Sequence, residues 1–454
     1  MSYNDNDLTT KPIPELIKEL AIPASVGLLF NTFYNITDIY FAGLISTGAL
    51  AGLSYAFSLF FVLFGSMMGV LLGAKALIGN SLGAKKITAA RLYSHQGLSF
   101  SLIMAIVLIS VSVAFSRELF TLMNVTEEYM GYTLGYFNVI TFSFVAVFIN
   151  TSLNNVLTSR GDTKSYRNTL MFGFFLNIIL NSIFGFGFLF IPPMGVQGIA
   201  LSTVIIGLIN MIYLWHKTKK TDLVSFTRMR YFVPKVNIFK HIFVQGWPSG
   251  FNMFIMSIGG MIMVYFISGY GKEAVAGFGI GLRVEQVMLL PALGINMAVL
   301  SLVSNNYGAK QFMRIKEIVI VSLKYSYLIS FTGLVVFFFT AKLVASLFSS
   351  DPLVIKAASE LVIVDAFTFF AYSTIFISVA TLQGMKRPKM IFYVSLFRQF
   401  IFPLILYSLV AFYFELPLIF IFLSTTLSTY IAAIWIFLHT RSIYESYHTS
   451  SADK

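Results

Sequence analysis

Apolar stretches of 20 or more residues recur twelve times along the chain, separated by short polar segments. They fall at about 16–43, 49–78, 92–115, 129–156, 166–190, 194–216, 240–268, 274–303, 317–340, 356–382, 390–413 and 417–440. About 20 residues of helix cross the hydrocarbon core of a bilayer, and the surplus in several stretches permits tilt or bending at internal prolines. The runs are continuous rather than alternating ten-residue segments, so they predict helices and not barrel strands. The pattern predicts an all-α membrane protein with twelve transmembrane helices.

The polar interruptions carry the basic residues unevenly. Twenty-three of the 31 Lys and Arg lie in the even-numbered loops and the two termini, seven of them in the segment 217–240, and four lie in the odd-numbered loops. By the positive-inside rule this predicts a bacterial inner-membrane protein with both termini and the 217–240 segment in the cytoplasm. It also accounts for the net charge of +12 without a nucleic-acid partner.

The two halves repeat at a constant offset of 225. Pro23 meets Pro248, and Tyr40-Phe41 meets Tyr265-Phe266. Ala49, Ala51 and Gly52 meet Ala274, Ala276 and Gly277, while Asn80, Gly83, Ala84 and Lys85 meet Asn305, Gly308, Ala309 and Lys310. Six helices per copy leave both copies in the same orientation, a parallel internal repeat of the kind found in transporters. The expected organisation is an amino-terminal six-helix lobe (1–216), a basic linker loop (217–239), a carboxy-terminal lobe (240–441) and a tail (442–454).

Composition narrows the chemistry. The chain is 57% hydrophobic, 11% charged and free of cysteine, with a mean hydropathy of +0.81. Disulfides and thiolate metal sites are thereby excluded, and the polar, mixed-charge first twenty residues are no signal peptide. No phosphate-binding glycine loop is present, and the five His lack metal-ligand spacing. The glycines at 65, 69 and 73 and at 277, 279 and 281 lie inside spans and predict close helix packing. A secondary transporter without metal or organic cofactor is the expectation, not an enzyme.

Ionisable side chains inside a span are costly and mark function by default. They are Asp38, Lys75, Arg283, Glu285, Lys324, Glu360, Asp365 and Arg398, with His95 a weaker candidate. Lys75, Lys324 and Glu360 lie near span ends, where snorkelling explains them. Asp38 shares one helix face with Gly27, Asn31 and Asn35, a polar stripe suited to a water-filled cavity. Asn177, Asn181 and Thr203 fall at matching depths in the fifth and sixth spans, so the set can hold a proton or a small hard cation. In the second half, a pairing of Glu285 with Arg398 is one expectation, serving either as a fixed ion pair or as a switch.

The ordered motifs resemble the multidrug and toxic compound extrusion (MATE) family over essentially the whole membrane-embedded chain. The resemblance rests on Ala21-Ile22-Pro23 followed by Tyr34-Asn35-Ile36-Thr37-Asp38, and on Asn80-Ser81-Leu82-Gly83-Ala84-Lys85 with its repeat Asn305-Asn306-Tyr307-Gly308-Ala309-Lys310. Leu157 through Lys164, Leu382-Gln383-Gly384 through Pro388, and Gly195-Val196-Gln197-Gly198 leading to Thr203 extend it.

The resemblance implies an antiporter that exports amphipathic, often cationic compounds against protons or sodium by alternating access. It makes Asp38 the first-helix carboxylate, Asn177, Asn181 and Thr203 its partners, and Pro23 a place where the first helix bends. Asn35 joins the cation- or proton-binding set, and Asn31, Tyr34, Arg283, Glu285, Asp365, Tyr372 and Arg398 are candidates for the substrate cavity or gating. Asn181 stands where members often have Asp, and Tyr372 where sodium-coupled members of one branch have Asp. Both departures favour H+ over Na+ and the proton-coupled, DinF-like branch. A monomer working on small molecules in a lipid bilayer is expected; a flippase of lipid-linked saccharide precursors is the alternative, with a membrane scaffold or receptor as a third reading.

Overall fold

The computed structural model describes residues 8–452, and among them there is no β-strand. The helices are α1 Ile13–Ile45, α2 Thr47–Gly83, α3 Ile87–Leu122, α4 Glu127–Ile140, α5 Ser143–Ser159, α6 Lys164–Phe186 and α7 Val196–Lys219. They continue as α8 Val236–Ser268, α9 Lys272–Gly308, α10 Phe312–Ser346, α11 Pro352–Gly384, α12 Lys389–Tyr413 and α13 Ile419–Ala452. Ten of these are long and apolar enough to span a bilayer, and α4 with α5, bent by 43°, forms an eleventh. The 33-residue α1 completes the twelve; Asn31, Asn35 and Asp38 lower its hydropathy and keep it out of the apolar set. Large apolar side chains such as Phe339, Ile212 and Met261 stand exposed, as lipid-facing positions require.

The duplication is visible at the level of turns. α2 and α9 are both 37 residues long and start 225 residues apart, and α11 spans residues that correspond to α4 plus α5. Lys85 and Lys310 both adopt left-handed backbone, with φ of 58° and 60°. Lys386 (φ 58°) occupies the equivalent of Gly161 (φ 83°). One turn geometry is thus built twice, in the second case without the glycine that makes it free of strain.

By packing, the chain divides into two compact units that exchange helix halves. One takes residues 26–250, and the other takes 8–25 with 251–452. The boundaries lie two residues beyond Pro23 and Pro248, at equivalent points of α1 and α8. The sequence-based lobes, divided at the linker, did not contain this exchange. Small residues make it fit. In the first unit, Gly69 and Gly73 of α2 face Gly246 and Gly250 of α8; a Cβ on Gly69 would meet the Gly250 nitrogen at 2.1 Å, and one on Gly246 the Val70 carbonyl at 2.2 Å. In the second unit the equivalent Gly294 of α9 packs on Ala21 and Ser25 of α1. Both contacts are small-xxx-small seams, where backbones approach because no side chain intervenes.

The 217–239 segment is not a free loop. α7 runs to Lys219, a 3₁₀ turn covers Phe226–Tyr231, and α8 starts at Val236. Leu223 and Val224 are buried in a cluster with Ala90, Leu98 and Leu214. The 442–454 tail continues α13 through Ala452; its last two residues, like residues 1–7 with Asp5 and Asp7, lie outside the described residues.

Candidate functional site

Asp38 and the side chains that hold it all lie in the first unit. α1 stays helical through its polar stripe because its asparagines and aspartate point to one face, while Thr32 and Thr37 bond back to the carbonyls of Leu28 and Phe33. Gly27, on the same face, lets α1 approach the backbone of α6, where a Cβ would meet Arg167 Cα at 3.2 Å. That approach brings Asp38 against Asn177 and Asn181, one helical turn apart on α6.

The carboxylate is 1% exposed, and both asparagines are fully buried. Asn177 Nδ2 donates to Asp38 Oδ1 at 2.9 Å, Asn181 Nδ2 donates to the same oxygen at 2.8 Å, and Asn181 Nδ2 also reaches Asn177 Oδ1 at 3.2 Å. Asn181 Oδ1 is buried without a hydrogen-bond partner among the described residues. Tyr34 Oη donates to Thr203 Oγ1 at 2.8 Å, which ties α1 to α7 one turn from Asp38. Among the described residues, no basic side chain acts on the Asp38 carboxylate.

Asp38, Tyr34 and Thr203 open into a cavity of about 210 Å³ that Asn31 and Asn35 also line, whereas Asn177 and Asn181 are buried beside Asp38 outside the lining. Phe57, Phe60, Phe61 and Phe64 of α2 form its apolar wall. Phe60 stacks on Phe144 with ring centroids 4.8 Å apart and planes within 3°, and on Phe64 at 5.9 Å. Among the described lining residues there is no Lys, Arg or His.

Several lining groups escaped the sequence reading. Asn150 of α5 donates to the Gly207 carbonyl at 3.0 Å, leaving its Oδ1 buried and without a partner among the described residues, and Tyr136 Oη and Ser143 Oγ share that condition. Thr151, Tyr166, Thr169 and Asn210 add to the polar part of the lining. A polar run in the fifth helix, Asn150-Thr151 followed by Asn154-Asn155, was the available signal. Asn154 and Asn155 are themselves buried outside the cavity, and Asn155 Nδ2 donates to the Leu71 carbonyl at 2.9 Å. Sequence position did not separate lining amides from packing ones.

Pro23 does not line the cavity; it belongs to the second unit. That unit gathers Glu285, Asp365, Tyr372 and Arg398 closely enough for their charges to interact. The expected Glu285–Arg398 ion pair is not formed: the Arg398 guanidinium lies over the Tyr372 ring, 5.4 Å from its centroid. A π-turn at Phe397–Ile401 presents Arg398 there, with Pro403 just beyond it unable to donate a helix hydrogen bond. Asp365 is buried, with one oxygen unpartnered among the described residues, while Arg283 is exposed. Lys75 does not snorkel. Although it lies near a span end, it is 1% exposed inside the first unit, its stem turned into the protein.

Duplicated six-helix units, exchanged helix halves and a buried carboxylate beside an aromatic cavity define the class as a two-unit helical membrane transporter. The MatE family profile matches residues 23–183 and 248–409, once in each half. The chain belongs to that family, the MATE transporters. It is 24% identical over 384 residues to the probable multidrug resistance protein YoeA of Bacillus subtilis, covering 82% of each chain. It is also 24% identical over 404 residues to the FAD transporter of Shewanella oneidensis, covering 86% of each. Among solved structures, the outward-facing conformation of a multidrug resistance MATE family transporter of the MOP superfamily superimposes with a TM-score of 0.91. That match has 22% identity and covers 98% of this chain and 99% of that one, a likeness of fold.

Proposed function

We propose that the protein exports amphipathic, cationic small molecules from the bacterial cytoplasm in exchange for protons, with Asp38 as the group that proton and substrate share. The observation that carries this reading is a buried carboxylate with no basic partner among the described residues, facing an aromatic cavity. An isolated negative charge in a low-dielectric site is costly until a cation joins it. Either a proton or a positively charged substrate relieves that cost, so the two compete, and competition is the coupling an antiporter needs.

The donor set favours a proton over sodium. Two amide N–H groups converge on Asp38 Oδ1, and an N–H cannot ligate a metal cation, whereas hard cations take several oxygens. When Asp38 is protonated, the unpartnered Asn181 Oδ1 stands ready to accept a hydrogen bond. The aromatic wall supplies cation–π and apolar contact to varied ring systems. The absence of cationic groups among the described lining residues speaks against a lipid-linked diphosphate, and so against the flippase alternative. The name of the relative YoeA agrees with multidrug export.

The test is efflux of a fluorescent organic cation from proteoliposomes under a proton gradient or a sodium gradient imposed one at a time. Export is expected with the proton gradient alone, and not in Asp38→Asn. Undiminished proton-driven export by Asp38→Asn, or export driven by sodium only, overturns the reading.

A further inference from the structure

The 217–240 segment has two faces of opposite character. Its inner face is fastened to α3 by backbone-directed hydrogen bonds. Gln96 Nε2 donates to the carbonyls of Tyr231 and Val233 at 2.7 and 2.8 Å, and its Oε1 accepts from Lys235 N at 2.8 Å. Ser99 Oγ donates to the Phe232 carbonyl at 2.7 Å, and buried His95 meets the backbone of Ser225 at 3.2 Å. Asp222, the segment's one acidic residue, is engaged by Arg91 and Arg228. The segment is therefore a strap of fixed shape.

Its outer face carries what remains. Phe226, Met229, Val233 and Val236 are 60–79% exposed, although they belong to the connection between two spans rather than to a lipid-facing helix wall. Lys219, Lys220, Arg230, Lys235 and Lys240 are exposed beside them, and none forms an ion pair among the described residues. Aromatic rings sit at the same level: Trp215 packs on Phe226 at 4.4 Å, and Lys217 lies over Tyr213 at 5.6 Å. Interleaved apolar, aromatic and cationic groups next to a span end match the chemistry of the membrane interface, where rings sit among headgroups and Lys and Arg meet anionic lipid.

We infer that this strap is a binding surface for anionic phospholipid of the surrounding bilayer: the apolar side chains enter the acyl boundary and the lysines and Arg230 take the headgroup phosphates. Charge complementarity selects this occupant, because the one acidic group on the strap is already neutralised from within the fold. Because the strap leads directly into α8, bound lipid fixes the starting end of that helix.

The experiment adds phosphatidylglycerol, phosphatidylcholine or inorganic phosphate to the full-length protein in neutral detergent and follows thermal unfolding. Phosphatidylglycerol is expected to raise the midpoint roughly twice as much as phosphatidylcholine, and inorganic phosphate not at all. The excess is expected to vanish in a variant carrying K219Q, K220Q, R230Q and K235Q. Equal shifts from both lipids, an undiminished excess in the variant, or an equal shift from inorganic phosphate overturns the inference. A second readout does not need that variant. With Trp247 and Trp435 replaced by Phe, brominated phosphatidylglycerol should quench Trp215 more strongly than brominated phosphatidylcholine, and raised salt should remove the difference. Equal quenching overturns it.

Discussion

Asn181 donates to Asp38 across 143 residues of sequence, at 2.8 Å, with both side chains out of contact with solvent. The bond joins α1 to α6 inside the first unit and directs an amide nitrogen, not an oxygen, at the carboxylate. Replacing Asn181 by Leu leaves Asp38 Oδ1 short of one donor at a buried site. The expected cost is about 1–3 kcal/mol of stability, read as a lower thermal midpoint. Asn181→Asp instead places two carboxylates in contact, which cannot both stay ionised without a shared cation. Transport by that variant should gain a dependence on sodium at alkaline pH relative to the parent; flux assays of both with and without sodium check it.

The seam between α2 and α8 predicts opposite responses at two glycines of the same helix. A Cβ at Gly246 would lie 2.2 Å from the Val70 carbonyl oxygen, a backbone atom that cannot swing away. Gly246→Ala should therefore destabilise by about 1–3 kcal/mol through overpacking. At Gly260 a Cβ meets nothing within 4 Å, so Gly260→Ala should lose nothing and gain from the better helix former. Paired melting curves decide the matter.

Phe60 lines the cavity and stacks on Phe144 at 4.8 Å. Phe60→Ala removes a pair interaction of about 0.5–1.5 kcal/mol along with part of the apolar wall. The expected result is weaker binding of aromatic cations by several-fold, seen as a raised KM, with proton-driven export still present. A fall in maximal rate at unchanged KM would contradict a substrate-contact role.

Asp222 ties the strap to α3 through Arg91 and to the strap's own 3₁₀ turn through Arg228. Burial alone raises its carboxyl, but the hydrogen bonds and charges of the two arginines outweigh that and hold it below the ordinary carboxylate range. A group whose folded pKa is depressed stabilises above its unfolded value of about 3.9 and loses that contribution as pH falls through the lower folded value. Hydrogen exchange in 223–235 should accordingly be slow at pH 5 and rise as pH drops toward 3. In Asp222→Asn it should be fast at pH 5 and change little over that range beyond the intrinsic pH effect.

Much of this protein was legible in the sequence. Helix number, the offset of 225 and the burial of Asp38 within a span follow from span length, turn residues and the apolar run around the carboxylate, and all three are properties of local sequence. The glycines at 69 and 73 announced close packing because no side chain stands on that face. What they packed against was not legible: Gly246 and Gly250 lie in a helix whose other half belongs to the second unit. A chain can pass from one unit to the other mid-helix, two residues beyond Pro23 and Pro248, without any change in hydropathy to mark it. Tertiary structure alone also decided which polar groups meet. It set Asn150 in the cavity wall and Asn155 in the packing, buried Lys75 where span position predicted snorkelling, and turned Arg398 onto Tyr372 instead of Glu285. The physical reason is common to all of these: hydrophobic periodicity reports the length and mean environment of a helix, whereas a side chain's partner depends on how its helix is rotated and crossed by others.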